Sequence, residues 1–409
     1  MIIIKTLKKK IEEQSSIQIY ALDNNVSLDE AEKQLKLMDR ADEIYNKLAE
    51  SVGEDYISSV YFNRGEDFGV SVRLVGNTEY NIKELLLDDG TVISIRATNG
   101  EKYNRQGIED YIATLVAPIN DTVENVSAIK YEFASNSIVI GIDDSDSAVG
   151  STSRSLNSQI NLDSLITDMK YEVQYGIEAP EDMALILRTI VGGGSLAGAG
   201  VCTAGFAGTV NNINGFLTAT HCNNNTSYVD NDGESLSYDR NSIITDTSPN
   251  HEISFVPTPS HPIAGMLFNS DSVEDTQALK VVGANTAPIR IGETFVCHYG
   301  RITKESCGYI KGKIPNTTKT GGCNSKYSSN SAIKSQNCGQ FYYMEGPSLK
   351  CEGGDSGGPV YTKNGNTALA YGIANSKTSY TGGVGCASLS FSPVDFAVSS
   401  YGFRIKTAF

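Results

Sequence analysis

Cys351-Glu352-Gly353-Gly354-Asp355-Ser356-Gly357-Gly358-Pro359-Val360 sets one serine among glycines, the composition of a tight turn. Small neighbours let a carbonyl carbon approach the hydroxyl, and adjacent backbone N–H groups can converge on an oxyanion, so Ser356 is a candidate nucleophile. Such a serine needs a base. The candidate is His221, at the end of the apolar run Gly215-Phe216-Leu217-Thr218-Ala219-Thr220-His221-Cys222. Residues 354–358 also satisfy the G-x-S-x-G pattern of α/β-hydrolases, but that fold places its histidine after the serine. All four histidines (His221, His251, His261, His298) precede Ser356, which excludes it. A zincin motif is excluded as well, because His251-Glu252 is followed by Phe255 where a second histidine is required. The surviving order is histidine, acid, serine.

Working outward, the 409 residues divide sharply. Met1 to Arg188 holds 18 basic and 33 acidic residues, the whole of the net charge of −15, while Thr189 to Phe409 holds 15 of each. All eight cysteines (Cys202, Cys222, Cys297, Cys307, Cys323, Cys338, Cys351, Cys386) lie in the second part. An even count in a loop-rich region points to disulfides and an oxidising compartment, and the lack of any C-x-x-C pair argues against zinc. The acidic balance argues against a nucleic-acid or anionic-membrane partner, and no apolar run approaches a membrane span. Met1-Ile2-Ile3-Ile4 meets Lys5 too soon to form the apolar core of a signal peptide, so residues 1–20 are read as an N-terminal segment only. Either the start lies upstream or export takes another route.

Ser27 to Val52 is helical in pattern, with Leu28, Ala31, Leu35, Leu37, Met38, Ala41, Ile44 and Leu48 at spacings of three and four. Ser27 and Glu30 make a capping box, and Gly53 is a stop. From Tyr56 to Asp146 the period shifts towards two, as in Gly69–Val75 and Ser137–Ile142, so this half is a small α+β unit. Asp143–Asp146 through Ser151–Ser153 reads as a loop, and Arg188–Gly194 as the stronger boundary. Beyond it the chain is all-β, a sandwich or barrel, with one helix expected over Pro393–Tyr401.

The T-A-x-H-C and G-D-S-G-G-P motifs together resemble the chymotrypsin-fold serine proteases, and within them the secreted bacterial α-lytic protease and streptogrisin group. Ile190-Val191-Gly192-Gly193 with Cys202–Phe206 looks like that group's mature N-terminus. Cys297-His298-Tyr299-Gly300-Arg301-Ile302-Thr303 with Cys307-Gly308, and Phe391–Val394 with Tyr401-Gly402, look like its later segments. The resemblance implies an all-β two-barrel catalytic domain over 189–409, preceded by an α+β propeptide over 21–188 that assists folding and then inhibits. It implies His221 as general base, Ser356 as nucleophile, and the N–H groups of Gly354 and Ser356 as the oxyanion hole. It implies disulfides Cys202–Cys222, Cys297–Cys307 and Cys351–Cys386, which leaves Cys323 with Cys338. Asn375-Ser376-Lys377 takes the place of the group's substrate-binding serine-glycine-glycine strand. There Lys377 either narrows the peptide groove or points to solvent. No aspartate sits at the pocket base, where Lys350 falls.

The group's acid is an aspartate in P-x-N-D-x-x-W-V; here Pro249-Asn250-His251-Glu252-Ile253-Ser254-Phe255-Val256 puts Glu252 in its place. Glu252 is expected as the acid, with Asp246 the alternative. A His298–Asp355 pair is equally open to His298 being an ordinary solvated residue. His251 and His261 are read as surface residues. The expected product is a secreted serine endopeptidase made as a zymogen, monomeric when mature. It acts on protein or peptide substrates, with its own propeptide as partner and neither cofactor nor metal. The competing expectation is a catalytically impaired binding protein on the same fold.

Overall fold

The structure, a computed structural model, describes residues 16–77, 83–123, 126–142, 162–175, 181–182, 195–198, 201–229, 235–245, 251–259, 261, 263–267, 278–316, 341–379 and 386–408. The expected loop at 143–153, the boundary at 188–194, Asp246, Cys323 and Cys338 lie outside the described residues.

The N-terminal region begins with helices Ser16–Asn24, Leu28–Met38 and Ala41–Val52. Ser27 caps the second, its hydroxyl accepting the Glu30 N–H at 3.2 Å, and Gly53 ends the third with φ 90°. The single helix expected over 27–52 is thus two. The chain turns at Asp39-Arg40, where the Asp39 carboxyl bonds Thr362 of the C-terminal region and the Arg40 guanidinium pairs with Glu43 and Asp89. A sheet follows in the order Ile57–Asn63, Gly69–Val75, Val92–Glu101, Glu84–Leu86. Period-two reading missed the next element, the helix Arg105–Thr122, capped by Asn104 through the Gly107 N–H at 2.9 Å. Ile108, Ile112, Leu115, Val116 and Ile119 are its buried stripe, a helical spacing that Gly107 and Pro118 obscure.

In the C-terminal region six strands close on themselves: Thr367–Ser379, Pro359–Asn364, Phe295–Gly300, Lys304–Asn316, Phe341–Glu345, Cys386–Pro393, and back to Thr367–Ser379. Closure leaves few open edges and surrounds an apolar interior that includes Val296, Ile310, Met344, Val360 and Leu389. Ahead of this barrel lie a four-stranded sheet (Val201–Thr203, Ser195–Gly198, Asn225–Val229, Ser235–Ser237) and a five-stranded one (Ile244–Thr245, Ser254–Pro257, Ile213–Thr218, Ala207–Val210, Arg404–Ile405). Between them pack Leu196, Phe216, Tyr228 and Val256. The expected C-terminal helix is Val394–Tyr401, ended by Gly402 in the left-handed region. Among the described residues no helix is long and apolar enough to cross a membrane.

The two regions share a sheet. Val126–Glu132 adds to the far end of Lys304–Asn316, pairing Tyr131 with Lys313 and Glu132 with Gly312. Glu181–Asp182 adds antiparallel to Thr367–Ser379, pairing Asp182 with Ser376 and Glu181 with Lys377. Lys130 is carried into the contact, its ammonium buried 3.2 Å from Ser388 Oγ and 3.7 Å from the Glu345 carboxylate.

The Asp39 contact titrates. Burial pushes that carboxyl from its ordinary 3.8 up to about 6. A group raised on folding stabilises the protonated form, so its contribution is full below pH ~3.8 and is lost as pH rises through ~6. Asp39→Asn, which keeps the neutral form at every pH, is expected to raise stability at pH 7 by on the order of 1–2 kcal/mol. At pH 4 it should change little. Thermal melts of both proteins across pH 4–7 check this, and parallel curves would refute it.

Candidate active site

The second half of the strand Ile213–Thr218, from Gly215 on, is buried on both faces, and the 3-10 turn Thr220–Asn224 that carries His221 follows it. Ser254–Pro257 runs antiparallel beside it, with Thr218 opposite Ser254. Continuing that register past the strand ends brings residue 252 alongside 220–221. There the Glu252 carboxylate, buried at 1% exposure, hydrogen-bonds His221 Nδ1. The Ser254 hydroxyl donates to Thr220 Oγ1 at 3.1 Å and ties the two segments together. The acid predicted from its place in the sequence therefore meets the predicted base.

The loop Cys351–Gly358 brings Ser356 to the same place. Gly354 (φ 105°) and Gly357 (φ 86°) adopt conformations closed to side chains, so the loop reverses sharply around the serine. Asp355, fully buried, accepts from the N–H groups of Ile302 (2.9 Å), Thr303 (3.1 Å) and Glu352 (2.9 Å) and from the Thr303 hydroxyl (2.6 Å). Three of these donors anchor the loop to the Arg301–Thr303 turn, and the fourth, from Glu352, closes the loop on itself. The Ser356 carbonyl accepts the Thr203 N–H at 2.6 Å and lies 3.8 Å from Cys222 Sγ, which puts the serine against the residue following His221. Among the described residues no hydrogen bond engages the N–H groups of Gly354 or Ser356. The Ser356 hydroxyl donates to the Asn375 carbonyl at 3.0 Å.

Among the described residues three disulfides form, Cys202–Cys222, Cys297–Cys307 and Cys351–Cys386. The first fixes the turn bearing His221 and the third joins the serine loop to the strand Cys386–Pro393. Cys202, Cys222 and His221 have donor atoms within 4.8 Å of one another, but both sulfurs are spent in the disulfide and offer a metal nothing.

Two expectations about histidines are corrected. His298 does not pair with Asp355: its Nε2 lies 2.7 Å from the Lys350 carbonyl and 2.9 Å from Ser306 Oγ. The turn's N–H groups have taken the carboxylate, and burial holds the imidazole below its ordinary pKa despite the nearby Asp355 charge. His251 is no surface residue; its ring is buried and stacked on Phe396 at 3.5 Å between centroids. His261 is half-buried, its carbonyl accepting from Asn214.

Of the expected substrate strand, Asn375 and Ser376 are buried and Lys377 pairs with Glu352 at 3.0 Å. Lys377 thus bridges to the serine loop instead of extending into solvent. Sequence reasoning missed Ser392, whose hydroxyl accepts the Glu252 N–H at 3.2 Å across 140 positions of chain; nothing local to Phe391-Ser392-Pro393 signals it.

In its motifs and site the chain resembles the chymotrypsin-fold serine proteases of bacteria. Among solved structures it is similar to a glutamic acid-specific serine protease that uses a histidine triad in substrate binding, at 21% identity over 53% of this chain and 100% of that one, with a TM-score of 0.40. Protease A of Thermobifida fusca is 21% identical over 54% of this chain and 99% of its own, with a TM-score of 0.39. A Nocardiopsis protease is 20% identical over 54% and 100%, also at 0.39. No family model matches the sequence, and comparison with curated proteins finds no match.

Proposed function

We propose that the chain is the precursor of a secreted serine endopeptidase of the two-barrel type, acting through His221, Glu252 and Ser356. The observation that carries the reading is the buried Glu252–His221 hydrogen bond set beside a serine on a glycine turn. In the proposed mechanism Ser356 Oγ attacks the scissile carbonyl while His221 Nε2 takes its proton. Glu252 holds the imidazole by Nδ1 and stabilises the imidazolium as it forms. The N–H groups of Gly354 and Ser356, uncommitted among the described residues, receive the oxyanion. His221 then protonates the leaving amine, and water hydrolyses the acyl-enzyme by the same steps in reverse.

The N-terminal region is proposed as a propeptide that blocks this site. Peptides bind sheet edges by adding a strand, and Glu181–Asp182 already occupies the edge at Ser376–Lys377. Its docking is extensive: a second strand junction at Lys304–Asn316, the buried Lys130, and the Asp39 contact. Secretion is supported by the three disulfides, which persist in oxidising compartments.

A second reading, a protease-fold binding protein without activity, draws on the Ser356 hydroxyl being turned to the Asn375 carbonyl. One experiment separates them. A fluorophosphonate probe should label Ser356 stoichiometrically once the N-terminal region has been removed, and Ser356→Ala should take no label. A correctly processed chain that stays unlabelled would favour the binding protein.

A further inference from the structure

Asn375 stands at a strand position where a primary amide is buried at 1% exposure, an unfavourable place for its two N–H donors and its oxygen unless all have partners. All do. Nδ2 donates to the Glu252 carbonyl at 2.8 Å and to Ser392 Oγ at 3.0 Å, and Oδ1 accepts the Ser392 N–H at 3.0 Å. Ser392 Oγ also accepts the Glu252 N–H. Both backbone polar groups of Glu252 are therefore held by this pair of residues. The main-chain carbonyl of Asn375 is in turn the group that receives the Ser356 hydroxyl.

The arrangement answers a problem that a glutamate creates. Its carboxylate is carried on one more rotatable bond than an aspartate's, so any freedom of its backbone is spread over a larger volume at the carboxylate. A 1 Å misplacement of a group that orients a base costs up to about 100-fold in rate. Anchoring the N–H and the carbonyl of one residue removes the backbone freedom and leaves only side-chain torsions to be set by packing.

We propose that Asn375, together with Ser392, is a positioning residue that fixes the Glu252 main chain so that its carboxylate meets His221 Nδ1. The proposal rests on the reading of His221, Glu252 and Ser356 as the catalytic set. Asn375 acts through Glu252: its side-chain hydrogen bonds go to Glu252 and Ser392 and, among the described residues, not to His221 or Ser356.

The test uses the full precursor carrying Asn375→Ala, Ser392→Ala, Glu252→Gln, or Asn375→Ala with Glu252→Gln, each processed and counted by active-site titration. Turnover is measured on a chromogenic peptide. Asn375→Ala should lower kcat by about 10–100-fold with KM within about threefold, and Ser392→Ala by about tenfold. The double variant should be no slower than Glu252→Gln alone, because with the acid disabled there is nothing left to position. A purely structural role would multiply the two losses, and that result overturns the proposal. So does a wild-type kcat in Asn375→Ala. Should Asn375→Ala fail to fold, Ser392→Ala decides, and wild-type kcat there overturns the proposal equally. Wild-type turnover in Glu252→Gln would instead remove the catalytic reading of Glu252 itself, and the proposal with it. A loss in Glu252→Gln beside an unaffected Asn375→Ala removes the positioning role alone.

Discussion

Glu252→Gln is expected to lower kcat by about 10⁴-fold while leaving the fold intact. The side chain keeps its length and shape, but an amide can offer His221 Nδ1 either an oxygen or an NH2. The NH2 orientation forces the imidazole into the tautomer with its proton on Nε2, which cannot accept from Ser356. Even the oxygen is neutral, so the imidazolium formed on attack loses the adjacent negative charge. Burial makes that loss expensive, since Glu252 is 1% exposed and water cannot substitute for the charge. The measurement is turnover of a peptide ester per titrated active site, run beside Asp246→Asn. Wild-type turnover in Glu252→Gln, with activity lost in Asp246→Asn, would move the acid to Asp246.

The second large effect is on stability. Gly357 has φ 86°, and a methyl group there would overlap the Thr203 carbonyl oxygen and Thr218 Oγ1, two groups hydrogen-bonded to each other at 3.1 Å. Gly357→Ala combines a left-handed backbone, about 1–2 kcal/mol, with overpacking of about 1–3 kcal/mol and a disturbed buried hydrogen bond worth about 1 kcal/mol. A total of about 3–6 kcal/mol is comparable with the whole stability of many domains. Gly365 is the control: its φ is 58° but nothing lies near its missing Cβ. Gly365→Ala should cost only about 1–2 kcal/mol. Denaturant unfolding of the two precursors compares them directly, and equal midpoints would contradict the close approach at Gly357.

Such contacts explain what the sequence disclosed and what it withheld. Ser356 and His221 were legible because glycine turns and strand-end histidines are local patterns. Glu252 was legible through the resemblance alone, because Pro249–Val256 follows the group's P-x-N-D-x-x-W-V segment with Glu252 in the aspartate's place. The amphipathic stretch 27–52 gave its helices away, but not their interruption at Asp39-Arg40, where the Asp39 carboxyl bonds Thr362, more than 300 positions distant. The helix Arg105–Thr122 was hidden among strands because Gly107 and Pro118 look like breakers; Asn104 as cap and Pro118 within a partner-packed helix are intelligible only once the buried stripe is known. His298 was expected either to pair with Asp355 or to be solvated, and it does neither: the N–H groups and hydroxyl of the Ile302-Thr303 turn hold the carboxylate, and the imidazole is buried. Asn375 was placed on the right strand, but its side chain serves Glu252 across 123 positions.

The strand junction at Lys304–Asn316 has a consequence for solubility. On the precursor reading, departure of Val126–Glu132 strips one edge of the Gly312–Asn316 stretch, whose other edge keeps Phe341–Glu345, and leaves a row of unpaired N–H and C=O groups facing water. An open edge of that kind is a template for other chains and a route to aggregation. Lys311 and Lys313 lie on this same strand, neutralised before processing by Glu293 at 2.6 Å and by Glu109 at 2.8 Å. Glu109 leaves with the N-terminal region, and the Lys313 ammonium is then uncovered at the newly opened edge, where its charge repels an approaching copy of the same strand.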